Sequence, residues 1–223
     1  MVDVGTMECP FCVEFEDVEK SEFRRLFPRD VLPSRVLEQD SDFVLIAGIG
    51  AFRPGYLLLI PRSHVKRFGD LSRAVARRAE AWRLSCLRNL RGRFGEVVMF
   101  EHGGTRTDAA GGCIDHAHLH LVPCRVDLMS ELDRRMPFTS AGDLSELPAT
   151  VRDRPYLLVQ QGADMRAYFP QERLPSQYMR RLIMQLEGTP DNWDWAVFAG
   201  KENVMATVRI PLSDAPGAWL PNA

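Results

Sequence analysis

The sequence predicts an α+β fold, an antiparallel sheet with one long helix packed on it, followed by a smaller C-terminal α/β extension. Three observations predict it. Two almost wholly apolar runs, Phe43-Val-Leu-Ile-Ala-Gly-Ile49 and Tyr56-Leu-Leu-Leu-Ile-Pro61, have the length and side-chain content of buried strands. An amphipathic stretch beginning near Leu71 is long enough to cross a sheet as a helix. Two more strand-like runs follow with short links, and the order strand, strand, helix, strand, strand favours antiparallel pairing with the helix on one side.

The first two strands are joined by a turn at Arg53-Pro54-Gly55. Asp70 is placed to cap the helix, and Leu71, Val75, Ala79, Trp82, Cys86 and Leu90 recur every three or four residues along it. Arg73, Arg77, Arg88 and Arg91 fall on the opposite face, and Gly92 or Gly95 ends the helix. Val97-Val-Met-Phe-Glu101 is the third strand, and a loop rich in Gly, Thr and Asp runs from His102 to Gly112. The fourth strand is His116-Ala-His-Leu-His-Leu-Val-Pro123, closed by its proline. After Cys124 the pattern changes, so residues 1–125 form one unit and 126–223 an extension packed on it. Asp127 to Arg154 is polar and helix-forming in patches, interrupted by Pro137, Gly142 and Pro148. Tyr156-Leu-Leu-Val-Gln160 reads as a strand that pairs with Arg166 to Pro170 across Gly162-Ala163-Asp164. Pro175-Ser176-Gln177 opens a helix to about Leu186, stopped by Gly188. The tail carries Trp193 and Trp195 and ends as proline-containing coil.

Composition narrows the function classes. With 45% hydrophobic and 26% charged residues the chain is an ordinary globular protein. A net charge of −2 gives no global attraction to polymeric nucleic acid or to anionic membranes. The basic pairs Arg77-Arg78 and Arg180-Arg181 read as solvated helix faces. No apolar run reaches the roughly 18 residues of a spanning helix. The segment from Met1 to Cys9 lacks the pattern of a secretory signal. Five scattered cysteines favour a reducing compartment, hence a cytoplasmic location.

The most informative feature is the alternation of three of the five histidines in one strand, His116, His118 and His120. Alternate residues share a face, so the imidazoles are expected about 6.6 Å apart, at ~3.3 Å of rise per residue. Ala117, Leu119 and Leu121 then face a core. The bland alternative is a surface strand whose polar face happens to be histidine. Such a row can ligate a metal, or present one imidazole as nucleophile with the others supporting it. Gly111-Gly112-Cys113 before the strand offers backbone amides to phosphate oxygens, which points to phosphoryl chemistry.

The run His116-Ala-His-Leu-His-Leu-Val122 resembles the signature of the histidine triad (HIT) superfamily. Leu59-Ile-Pro-Arg-Ser-His64 and Cys9-Pro-Phe-Cys12 extend the resemblance to roughly residues 8–124. The extension, through Leu174-Pro-Ser-Gln-Tyr178 and Trp193-Asp-Trp195, more loosely resembles longer bacterial members described as diadenosine polyphosphate hydrolases or phosphorylases. The resemblance implies a HIT-like fold, often a sheet-edge homodimer, and a nucleotide hydrolase or nucleotidyltransferase. His118 would attack a nucleotide α-phosphorus to give a covalent nucleotidyl-imidazole, and His120 would donate to phosphate oxygens. The amides of Gly111, Gly112 and Cys113 would share the developing charge. In members with the cysteine pair, zinc is held by both cysteines and two histidines, which implies a closed structural site of Cys9, Cys12, His64 and His116. Alone, the Cys-x-x-Cys pair reads equally as incidental thiols or a redox pair.

Four departures modify the expectation. Gly55 is followed by Tyr56 where many members have histidine, and the acidic ribose ligand expected near the first strand falls near Gly48. Cys113 replaces a serine, and is either a catalytic thiol or a small buried residue. The loop from His102 to Gly112 is long, with Arg106 as a candidate phosphate ligand and Glu101 as a polar contact. His102 is either a phosphate contact or a solvent-exposed histidine, and Gln177 and Asn203 are either substrate contacts or capping and surface residues. Two other functions fit the same residues: a non-catalytic nucleotide-binding regulator, and a hydrolase whose triad holds a catalytic metal.

Overall fold

Side chains that alternate between two apolar layers decide the architecture. In the computed structural model, residues 8–210 are described, and the proline-containing end of the tail lies outside them. The strands are β1 (Val36–Gln39), β2 (Phe43–Ala47), β3 (Leu57–Pro61), β4 (Val97–Gly103), β5 (Leu119–Pro123), β6 (Phe138–Ser140), β7 (Tyr156–Gln161) and β8 (Asp164–Tyr168). The helices are α1 (Pro10–Glu16), α2 (Glu22–Leu26), α3 (Arg73–Phe94), α4 (Leu128–Asp133), α5 (Leu147–Val151), α6 (Tyr178–Leu186) and α7 (Lys201–Val208). One sheet runs β1-β2-β3-β5-β4-β7-β8-β6 with every neighbouring pair antiparallel.

Phe43, Leu45, Leu57, Leu59, Met99, Leu119 and Leu121 face one layer, where Ala79, Trp82, Cys86 and Leu90 of α3 cover them. Val44, Ile46, Leu58, Ile60 and Phe100 face the other, against Phe11 of α1, Phe23 of α2 and Met179, Leu182 and Ile183 of α6. Both faces are covered, which is why β2 and β3 are apolar throughout rather than alternating. Burying a Leu or Phe side chain stabilises by roughly 1.5–3 kcal/mol, so the central strands anchor the site.

The extension continues this sheet. β7 pairs with the outer edge of β4 from Val98↔Gln161 to Gly103↔Tyr156. Gly103 has to be glycine there, because a Cβ would lie 2.1 Å from the Tyr156 ring. The outermost strands are short, four residues in β1 and three in β6, and the expected sheet-edge homodimer would have to use one of them.

Several boundaries differ from the sequence expectation. Ser72, not Asp70, caps α3, its Oγ accepting from the Val75 amide at 3.4 Å. Asp70 lies in a single 3-10 turn and pairs with Arg67, because Leu71 is extended and cannot continue a helix. Gly92 stays helical and Gly95, at φ 80°, ends the helix. The histidine strand starts at Leu119 rather than His116; before it, the Ala117 amide bonds the Val65 carbonyl at 2.7 Å, outside the ladder. Helix α7 was not expected within the tail. It docks through Thr207, whose Oγ1 accepts from the Gly55 amide at 2.9 Å.

Candidate active site

The histidine rings lie on the layer that holds α1 and α6, as strand alternation requires. Ala117, Leu119 and Leu121 face the α3 layer. The His118 and His120 rings are 4.7 Å apart, closer than the expected spacing. Phe11 of α1 packs edge-on against both His116 and His118, at 5.7 and 5.3 Å. Phe100 stacks flat on His120 at 4.3 Å.

Hydrogen bonds fix which nitrogen of each ring carries the proton. A carbonyl only accepts, so His118 Nδ1–H donates to the His116 carbonyl at 2.7 Å and Nε2 keeps its lone pair. His120 is held oppositely. Arg180 of α6 only donates, and its Nη1 gives a proton to Tyr56 Oη at 3.0 Å. Tyr56 Oη lies 2.7 Å from His120 Nδ1; giving its single proton to that nitrogen leaves no buried group unpaired, and the neutral His120 then carries its own on Nε2. Burial lowers the pKa of His118 to about 4 and that of His120 well below the usual histidine value, so both rings are neutral near pH 7. His118, just before β5, and His120 within it therefore present a nucleophilic lone pair and a hydrogen-bond donor side by side.

Both rings line one partly enclosed cavity. Phe11, Ile49, Leu58, Ile114 and Trp195 supply apolar walls. A buried ion pair, Arg35 with Glu14 at 2.5 Å, and Glu22 lie at its N-terminal side. Arg180 is the other cation on the wall, 3% exposed. Its Nε and Nη2 donate to the carbonyls of Trp193 at 2.7 Å and Gly50 at 2.6 Å. The solvated face expected for Arg180 is thus corrected: Ile183 and Met184, one turn on, are buried with it, and that helical spacing was the signal in the sequence.

The expected site residues separate into groups. His118, His120, Tyr56 and Cys113 share the cavity. Cys113 Sγ accepts from Trp195 Nε1 at 3.4 Å, and burial raises its pKa, so it is a thiol rather than a thiolate. Glu101, expected as a polar contact, faces the α3 layer, where it accepts from the Phe68 amide and the Tyr156 hydroxyl, each at 2.7 Å. Arg106, Gly111 and Gly112 line a neighbouring cleft. Arg106 pairs with Asp115, and the Gly111 carbonyl accepts from the Gln177 amide at 2.8 Å, docking the start of α6. His102, on the same face as Phe100, is buried and lines the histidine cavity rather than facing solvent. Its Nε2 accepts from the Met179 amide at 3.2 Å, and burial lowers its pKa to about 3. Gln177 reaches the cavity, whereas Asn203 donates to the Ala51 carbonyl at 2.9 Å.

His116 serves a second site. Its Nε2–H donates to the Pro61 carbonyl at 2.8 Å, which frees Nδ1. Cys9 Sγ lies 3.3 Å from that Nδ1 and Cys12 Sγ 3.6 Å; Cys12 Sγ lies 3.2 Å from His64 Nδ1. One donor atom from each of Cys9, Cys12, His64 and His116 lies within 4.8 Å of the others. A tetrahedral ion with two thiolate and two imidazole ligands spaces sulfur and nitrogen about 3.6 Å apart, so these four can hold a metal. The carbonyl behind His116 is the outer partner that ligating histidines use to fix their tautomer.

The HIT domain model matches residues 29–127. No curated protein matches. Among solved structures, a hypothetical protein from Leishmania major is 18% identical, with a TM-score of 0.41, over 54% of this chain and 76% of its own. A HIT family member from Bacillus subtilis is 19% identical, TM-score 0.41, over 52% and 72%. A histidine triad family protein from Mycobacterium smegmatis, described as zinc-bound, is 24% identical, TM-score 0.40, over 66% and 93%. The matched span contains the histidine strand and the loop that precedes it, so residues 29–127 are the part of the chain that is similar to the HIT domain.

Proposed function

We propose that the chain is a nucleotide hydrolase or nucleotidyltransferase acting at an α-phosphorus through a covalent nucleotidyl-His118. The observation that carries the proposal is the opposite protonation of two adjacent imidazoles on one cavity wall. In the first step His118 Nε2 forms a bond to phosphorus in line with the leaving group, whose bond to phosphorus breaks. Positive charge develops on the ring, and the His116 carbonyl bonded to Nδ1–H stabilises it. His120 Nε2–H donates to a non-bridging oxygen as charge builds there. Water or another acceptor then attacks the same phosphorus and releases His118. Dinucleoside polyphosphates, nucleoside phosphoramidates and related phosphoesters fit this scheme. Zinc is the metal that suits two thiols and two imidazoles, and with no position left open it would be structural, tying α1 to the histidine strand.

Quenching the protein with acid-labile adducts preserved, during turnover of a labelled nucleoside phosphoramidate, tests the scheme. Label on His118, abolished in His118→Ala, is expected. Tight nucleotide binding with no label and no turnover across phosphoanhydrides, phosphoramidates and nucleotidyl esters would favour the non-catalytic regulator instead.

A further inference from the structure

Arg180 comes from the extension, beyond the matched span, yet it is buried in the cavity wall. Its three hydrogen bonds all go to uncharged oxygens: Tyr56 Oη, the Gly50 carbonyl and the Trp193 carbonyl. A buried guanidinium without a carboxylate partner is costly, so its place in the wall calls for a reason beyond packing. The geometry supplies one. Tyr56 Oη sits between Arg180 and His120, and a tyrosine hydroxyl has one proton to give. Without Arg180 the hydroxyl is free either to donate to His120 or to accept from it, and the ring is free to take either tautomer. With Arg180 donating, the buried hydroxyl's own proton finds its acceptor in His120 Nδ1, and the reverse direction would leave that proton unpaired.

We propose that Arg180 is a positioning residue that acts through Tyr56 to lock His120 in the Nε2–H form. The extension therefore completes the site: it sets the polarity of a histidine on the strand of the preceding domain. The proposal rests on the roles of His118 and His120 given above. It also accounts for Tyr56, which cannot replace an imidazole as a cation but can pass on the directionality of a cation behind it.

Nitrogen-15 NMR of histidine-labelled full-length protein reports the tautomer of each ring directly. His120 is expected as Nε2–H in the wild type. Tyr56→Phe removes one oxygen and keeps the packing, and should convert His120 to Nδ1–H or to a mixture. Arg180→Met should produce a mixture as well. In parallel, Tyr56→Phe should lower kcat about 10- to 100-fold with KM changed less than about threefold, because the donor matters most in the transition state. Wild-type His120 as Nδ1–H, or a tautomer untouched by Tyr56→Phe, overturns the proposal. Absence of nucleotidyl turnover in the wild type would overturn the functional reading while leaving the NMR result to decide the tautomer.

Discussion

His116 and His118 are two residues apart and pack against the same phenyl ring, Phe11, yet they serve different sites. His116 gives its Nε2 proton to the Pro61 carbonyl and turns Nδ1 to two cysteines. His118 gives its Nδ1 proton to the His116 carbonyl and keeps Nε2 for the cavity. The difference lies in which nitrogen the backbone claims, and it divides one histidine row into a metal corner, whose four donors could hold an ion, and a reaction corner, where the proposed chemistry would take place. His120 adds a third case, in which a side chain from another part of the chain makes the choice.

The largest expected effect comes from the reaction corner. His118→Ala should reduce turnover by on the order of 10⁴-fold or more while leaving the unfolding midpoint and metal content close to wild type, as calorimetry and elemental analysis would report. An equal loss of stability would merge the two corners. The metal corner should show the reverse pattern. Cys12→Ser should remove bound metal and lower stability by several kcal/mol, with activity falling only as folded protein is lost. Direct loss of turnover in well-folded, metal-depleted protein would instead favour a catalytic ion.

Glu101, on the far face, is the control for both corners. Burial pushes its carboxyl up to about 7 from 4.5. The folded chain thus keeps a proton that the unfolded chain loses. The group's stabilising contribution is full below pH 4.5 and declines as pH rises to about 7, by about 3 kcal/mol over the interval. Glu101→Gln should flatten the stability–pH curve between those limits and leave kcat near pH 7 unchanged. A smaller effect, about 1–2 kcal/mol, is expected from Gly50→Ala. Gly50 has φ 76°, and a Cβ there would lie 2.4 Å from Trp195 Cβ and 2.8 Å from Arg180 Nη2. Pushing Arg180 back should reduce turnover with the metal corner intact.

Much of the reaction corner was legible in the sequence, for a physical reason. Alternation fixes faces, so the histidine row and the apolar residues between them were readable from spacing alone. The central strands were equally plain, because burial on both sides leaves only apolar residues in β2 and β3. Glu101 was misplaced although the same alternation argued against it: Phe100 and His102 share the cavity face, so the residue between them cannot. Arg180 was missed because a basic pair on a helix usually marks solvent, while the apolar residues one turn on place this one inside. What the sequence could not carry is the assignment of protons to nitrogens. That depends on the Pro61 carbonyl, the His116 carbonyl and a Tyr56–Arg180 contact between residues 124 positions apart.

Neutron diffraction from deuterated crystals sees those protons individually and tests the partition most directly. The account predicts deuterium on His116 Nε2, His118 Nδ1 and His120 Nε2, with none on His118 Nε2 or His120 Nδ1. Deuterium on His118 Nε2 would leave the ring without a nucleophilic lone pair facing the cavity, and would contradict it.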